Sequence, residues 1–170
     1  MDITQLQPAS VWHYFSQLCE IPRPSKHEQK LVAHILELAH DKNLEAFTDS
    51  AGNLIIRKPA SSGREEATSI VMQSHLDMVP QKTDASTHDF LTDRIETIID
   101  GECVTANGTT LGADNGMGVA AILAVMLSDE IEHGPLEALL TIDEEAGMSG
   151  AANLEAGVLK SRLLLNLDTE

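Results

Sequence analysis

At 170 residues, 42% of them apolar and only 3% aromatic, the chain is the size of one domain and carries enough apolar surface for a single core. Its 27 acidic against 11 basic residues leave a net charge of −16, which repels phosphate backbones and anionic lipid surfaces and argues against nucleic acid or membrane as partners. The longest strongly apolar stretch, residues 119–127, falls far below the ~20 residues that span a bilayer.

The opening Met1-Asp2-Ile3-Thr4 lacks the basic-then-apolar pattern of a signal peptide. Cys19 and Cys103 have no partner spacing and suit a reducing compartment, so the expected location is the cytoplasm. Apolar residues recur at helical spacing over residues 11–18, after Ser10, and Ile21-Pro22-Arg23-Pro24 stops that helix. Ser25 and Glu28 then have the spacing of a capping box, predicting a second helix whose apolar stripe is Leu31, Ile35, Leu38 and Ala39, ending near Asn43. His27, His34 and His40 lie on or beside it with no acidic cluster at ligand spacing, and read as ordinary surface or core-edge residues.

Residues 53–58 predict a strand stopped by Pro59, and residues 61–66 an exposed loop. The run Ile70-Val71-Met72-Gln73-Ser74 predicts a buried strand that ends abruptly at His75 and Asp77. Residues 81–100 read as a polar surface excursion anchored by Phe90, Leu91, Ile95, Ile98 and Ile99, followed by a short strand at 103–105 and a tight turn at Asn107-Gly108. Leu111-Gly112-Ala113-Asp114-Asn115-Gly116-Met117-Gly118 leads into a helix over 119–127 that is apolar on most faces and hence buried. A strand over 136–142 stops in Asp143-Glu144-Glu145-Ala146-Gly147; a short helix follows at 150–155, and a last strand at 162–167 stops at Asp168.

Apolar strands separated by helices predict an α/β fold: a three-layer α/β/α arrangement with a mostly parallel sheet covered on both faces. Ligands of such sheets bind beyond the carboxyl ends of the strands. Three separate strands here end in His75, in Glu144-Glu145 and in Asp168, with Asp114 at the start of the buried helix. Alone, each has an ordinary explanation as helix cap, solvated loop or turn starter. Together on one rim, a histidine and several carboxylates form a ligand set for zinc, with cobalt or manganese as other ions that accept imidazole and carboxylate.

A bridging carboxylate would permit two ions ~3.5–4 Å apart, and Asp114 suits that role because a helix N-terminus faces it. Asp77, two residues beyond His75, can hold the second ring nitrogen of a ligating imidazole. Of Glu144 and Glu145, one can bind metal while the other stays free as a general base toward water. The glycines do not spell G-x-G-x-x-G and no Gly-Lys-Ser/Thr follows, so nucleotide phosphates are not signalled. A serine or cysteine nucleophile lacks a recognisable elbow.

Four ordered stretches carry a resemblance. Ser74-His75-Leu76-Asp77-Met78-Val79-Pro80, Leu111-Gly112-Ala113-Asp114-Asn115-Gly116, Asp143-Glu144-Glu145-Ala146-Gly147-Met148 and Asn166-Leu167-Asp168 resemble the co-catalytic di-zinc peptidases of the aminoacylase and carboxypeptidase G type. Ile21-Pro22-Arg23-Pro24-Ser25 and residues 78–82 look like the dipeptidase subgroup in particular. The resemblance implies that His75 and Asp168 bind one zinc, Glu145 the other and Asp114 both. It also implies that Asp77 orients His75, that Glu144 is the base, and that the Asp114–Asn115 peptide is cis. The implied reaction is hydrolysis of unblocked dipeptides, including those ending in histidine such as carnosine, by an enzyme that forms a homodimer.

Members of this family continue past the last motif with a lid or dimerisation domain and a further histidine ligand. Residues 1–170 therefore read as the amino-terminal part of a catalytic domain, inactive alone and exposing apolar surface where the rest would pack. Two rival readings are an N-acyl amino acid deacylase of the same family and a non-catalytic relic whose acids only bind metal.

Overall fold

The computed structural model describes residues 2–168. Two helices, α1 (Ala9–Glu20) and α2 (Gln29–Asp41), precede strands β1 (Glu45–Thr48), β2 (Leu54–Lys58) and β3 (Ile70–His75). A hairpin of β4 (Thr97–Asp100) and β5 (Cys103–Ala106) leads to α3 (Ala113–Met126), β6 (Leu136–Thr141), the short α4 (Ser149–Ala152) and β7 (Leu163–Asn166). Sequence reading misses β1 and β4. The β4 strand lies inside the stretch expected to be irregular, and the hairpin turns at Gly101, before the expected Asn107-Gly108 turn.

The architecture is α/β, around a five-stranded mixed sheet of order β1-β2-β6-β3-β7. Its parallel part is β6, β3 and β7; β2 joins β6 and β1 joins β2 antiparallel. A parallel neighbour needs a crossover of a dozen or more residues, and β1 and β2 are separated by a tight turn. That turn is closed by Asp49, whose Oδ1 accepts from the N–H groups of Ala51, Gly52 and Asn53.

Alternation along the strands sorts the core onto two faces. Leu54, Ile56, Met72, Ala138 and Leu140 pack with Phe15 and Leu18 of α1, Leu31 and Ile35 of α2, and Val119, Ile122 and Leu123 of α3. Ile55, Val71 and Leu139 face the other way, where the cover is thin: Phe47, Leu154, Val158 and Leu159, next to α4, stand in for a full helical layer. The outer strand β7 leaves Leu163, Leu164 and Leu165 about half exposed, at 52%, 53% and 52%. No helix among the described residues is long and apolar enough to cross a membrane.

The expected capping box does not form. Helix α2 begins at Gln29, the Ser25 hydroxyl donates to Asp77, and Glu28, almost fully buried, accepts from the N–H groups of Lys26 and Asp143. Glu28 is drawn off the helix end by backbone donors that need an acceptor, and Ser25 by the buried Asp77 carboxylate that needs a donor. Helix α3 is largely buried from Asn115 onward, including the stretch expected to be buried, while Ala113 and Asp114 at its start are exposed and Asp114 and Asn115 have non-helical backbone angles.

Candidate metal centre

Strands β3, β6 and β7 run the same way, so their carboxyl ends share one rim. Register sets the heights. His75 pairs with Thr141 of β6, and Gln73 with Asn166 of β7, so two more residues along each strand bring Asp168 level with His75. The loop after β6 starts at the same level and carries Glu144 and Glu145. Asp114 arrives from the opposite side, on the loop that enters α3, across the cis Asp114–Asn115 peptide.

His75 is buried and points both ring nitrogens at acids. Nε2 lies 3.1 Å from Asp114 Oδ1 and 3.9 Å from Asp168 Oδ2. Nδ1 lies 3.3 Å from Asp77 Oδ1 and 3.1 Å from the Asp77 carbonyl oxygen. Ligand atoms of His75, Asp114 and Asp168 fall within 4.8 Å of one another, as do those of His75, Glu144 and Glu145.

Asp77, fully buried, does more than face the histidine. Its carboxylate accepts from the Ser25 hydroxyl at 2.7 Å and from the N–H groups of Glu144 at 3.0 Å and Glu145 at 3.1 Å. One side chain thus fixes the imidazole of β3 and the backbone of the acidic loop after β6.

The electrostatics follow from these contacts. Burial disfavours the charged form of the His75 imidazole, but the hydrogen bond and charge of Asp77, helped by Asp114 and Asp168, outweigh it and raise its pKa to about 9. Burial would likewise raise Asp77, yet its bonds from His75, Ser25 and the two backbone amides bring it down to about 2. Glu145 is raised, first by burial and next by the charge of Asp114. Among the described residues no lysine or arginine forms an ion pair with Asp114, Glu144, Glu145 or Asp168. A concentration of carboxylates around one imidazole, short of positive charge, is the chemistry that a divalent cation satisfies, and the donor set fits zinc, cobalt or manganese.

The structure brings together His75, Asp77, Asp114, Glu144, Glu145 and Asp168, the six residues singled out in the sequence. His34 and His40 instead face Gln17 and the Ala46 carbonyl, away from this rim. Sequence reasoning missed the residues behind the rim. Ser25 and Glu28 were read as a helix cap, and Asn115, whose amide donates to the Leu167 carbonyl at 3.3 Å and so ties the start of α3 to the end of β7, was read only as a neighbour of Asp114. Arg23, between two prolines in an otherwise apolar stretch, was the one visible signal of a buried polar group there.

Comparison with known proteins bears on this geometry. The chain is 48% identical over 169 residues to the cytosol non-specific dipeptidase of Escherichia coli (strain K12), covering 99% of this chain and 35% of that protein. The structure of an aminoacylhistidine dipeptidase from Vibrio alginolyticus superimposes with a TM-score of 0.98 at 54% identity, over 100% of this chain and 35% of that one. A Bacillus subtilis YXEP structure, described as a dinuclear metal binding peptidase, shares the fold at 16% identity with a TM-score of 0.50, over 79% of this chain and 35% of that one. The chain thus spans about a third of the length of these relatives. Residues 71–167, which include five of the six rim residues, match peptidase family M20/M25/M40, and the chain belongs to that family.

Proposed function

We propose that this chain carries the metal centre of a cytoplasmic dipeptidase that cleaves unblocked dipeptides, including those ending in histidine such as carnosine. The observation that carries the reading is the convergence of His75, Asp114 and Asp168 at one rim with Glu144 and Glu145 beside them. In this reading His75, Asp168, Glu145 and Asp114 would hold two divalent ions, zinc being one that suits these donors: His75 and Asp168 would serve one ion, Glu145 the other and Asp114 both. Bound there, such ions acidify water and polarise the peptide carbonyl.

The chain's own groups do the rest. Asp77 keeps the His75 Nδ1 proton on the side away from the metals, leaving Nε2 free to ligate. Glu144 takes a proton from water as oxygen attacks the carbonyl carbon, then passes it to the departing amine as the C–N bond breaks, so one water and one dipeptide give two amino acids. The substrate is the partner that this site requires, and the whole protein works as a homodimer.

Glu144→Gln and Glu145→Gln in the full-length protein test the assignment. The first should abolish turnover of Ala-His while two metals remain bound; the second should weaken metal binding. Wild-type turnover in both variants would refute it, and faster turnover of an N-acyl amino acid than of Ala-His would shift the substrate to the deacylase class.

A further inference from the structure

Arg23 lies between α1 and α2, and its side chain is buried with 2% exposure. A buried guanidinium ordinarily pairs with a carboxylate, since an uncompensated buried charge is strongly destabilising. This one pairs with backbone. Nη1 donates to the carbonyls of Leu76 at 3.0 Å and Asp77 at 3.2 Å, and Nη2 donates to the carbonyl of Gly112. The first two carbonyls follow His75 directly; the third precedes Asp114 by two residues. The Arg23 carbonyl in turn accepts from the Met78 N–H at 3.2 Å.

A second observation is independent of these bonds. A Cβ placed on Gly112 would sit 2.5 Å from Arg23 Nη2, and one on Gly116 would sit 2.6 Å from it. Gly112 has φ +72, which alone favours glycine, but Gly116 has no such backbone requirement. What Gly116 supplies is space for the guanidinium and for Phe15, whose ring would be 3.0 Å from the added carbon. Lys58 shows by contrast what a merely structural cation looks like here: it donates to the carbonyls of Val125 and Ser128 at the end of α3, remote from the acids.

We infer that Arg23 is a positioning residue of the metal centre: its planar fork spans the loop that leaves β3 directly after His75 and carries Asp77 and the loop that leads to Asp114, and sets the distance between them. The inference rests on the metal-centre reading above. A guanidinium can donate in two directions at fixed angles, whereas an ammonium on a flexible stem cannot hold the same two loops at one spacing.

The test uses the full-length protein, freed of metal and titrated calorimetrically with Zn2+, with circular dichroism melting to report the fold. Arg23→Met, if folded, should lose about 10–100-fold in zinc affinity, the range seen when a group that orients a ligand is removed. Arg23→Lys should not restore it. Gly116→Ala, which crowds the guanidinium without removing it, should weaken zinc binding in the wild-type background and have little further effect in the Arg23→Met background.

A folded Arg23→Met protein with wild-type zinc affinity would overturn the inference. Should Arg23→Met not fold, wild-type affinity in Gly116→Ala would overturn it just as well. Failure of the wild-type protein itself to bind zinc would overturn the metal-centre reading and this inference with it.

Discussion

Replacing Asp77 by asparagine keeps shape and volume, removes the charge, and turns one of two acceptor oxygens into a donor. In the structure Oδ1 accepts from the Glu144 N–H and faces His75 Nδ1 at 3.3 Å, while Oδ2 accepts from the Glu145 N–H and the Ser25 hydroxyl. An amide nitrogen at Oδ1 would confront two donors that cannot turn away. At Oδ2 it would confront the Glu145 N–H, but the Ser25 hydroxyl can rotate and accept, so asparagine adopts this orientation.

One part-buried backbone donor, the Glu145 N–H, is then left without its partner, which costs at most about 1–3 kcal/mol. Alanine would strand both part-buried backbone donors, for at most about 2–6 kcal/mol, against the 5–15 kcal/mol that holds a typical domain together. Metal-free protein unfolded in urea gives the stability change as a shift of midpoint at constant slope. Calorimetric zinc titration gives the second consequence, a loss of about 10–100-fold in affinity as His75 loses its orienting charge. Asp77→Asn protein that unfolds at the wild-type midpoint and binds zinc with wild-type affinity would show that the carboxylate is not the tie between β3 and the acidic loop.

Three further outcomes follow, one from the same pair and two from other contacts. In metal-free protein the folded pKa of His75, about 9, lies above its ordinary 6.5, so its contribution is complete below about 6.5 and disappears as pH rises through 9; that of Asp77, lowered from 3.8 to about 2, is present above about 3.8 and disappears as pH falls through 2. The melting temperature of metal-free wild-type protein, less that of Asp77→Asn, should therefore be greatest between about pH 4 and 6.5; a flat difference across pH 2–9 would contradict the pairing. Gly150→Ala would place a Cβ 2.4 Å from Asn53 Oδ1 and 2.6 Å from the Ile142 carbonyl, and should lower stability by about 1–3 kcal/mol in urea unfolding. Cys103 is exposed whereas Cys19 is buried with its thiol pushed up to about 11, so an aromatic disulfide reagent should titrate one thiol in the native protein and two in urea.

How much of this was visible in the sequence depends on whether a contact is made by a pattern or by a pairing. The helices α1 and α2 announce themselves because one-sided burial imposes a period on their side chains, and β2, β3, β6 and α3 because burial on most sides leaves a short, nearly unbroken apolar run. Strand β1, Glu-Ala-Phe-Thr at one edge of the sheet, has four residues and no full period to read. Strand direction was legible only in part: the connections between β3, β6 and β7 are long enough for crossovers, while the antiparallel β1 and β2 depend on the turn that Asp49 closes. The thin second layer was not legible at all, since residues 154–159 cover their face of the sheet mostly without regular structure.

The rim itself was readable because an apolar strand that stops in His or Asp violates its own pattern, and a violation is easy to locate. The support behind the rim was not, because backbone carbonyls and amides have no letter in a sequence. Arg23 bonds only to carbonyls, Glu28 accepts only from amides, and Asp77 spends two of its acceptor sites on the amides of Glu144 and Glu145. The segment from Arg23 to Glu28 therefore does for the loops what the sheet does for the strands: Arg23 grips the loops bearing His75 and Asp114, Ser25 holds Asp77, and Glu28 holds the start of the acidic loop at Asp143. A stretch that reads as a helix stop and a helix cap is, by its hydrogen bonds, the frame on which three of the loops at the acidic rim are hung, and substitutions there should disturb the proposed metal centre before they disturb the helices they flank.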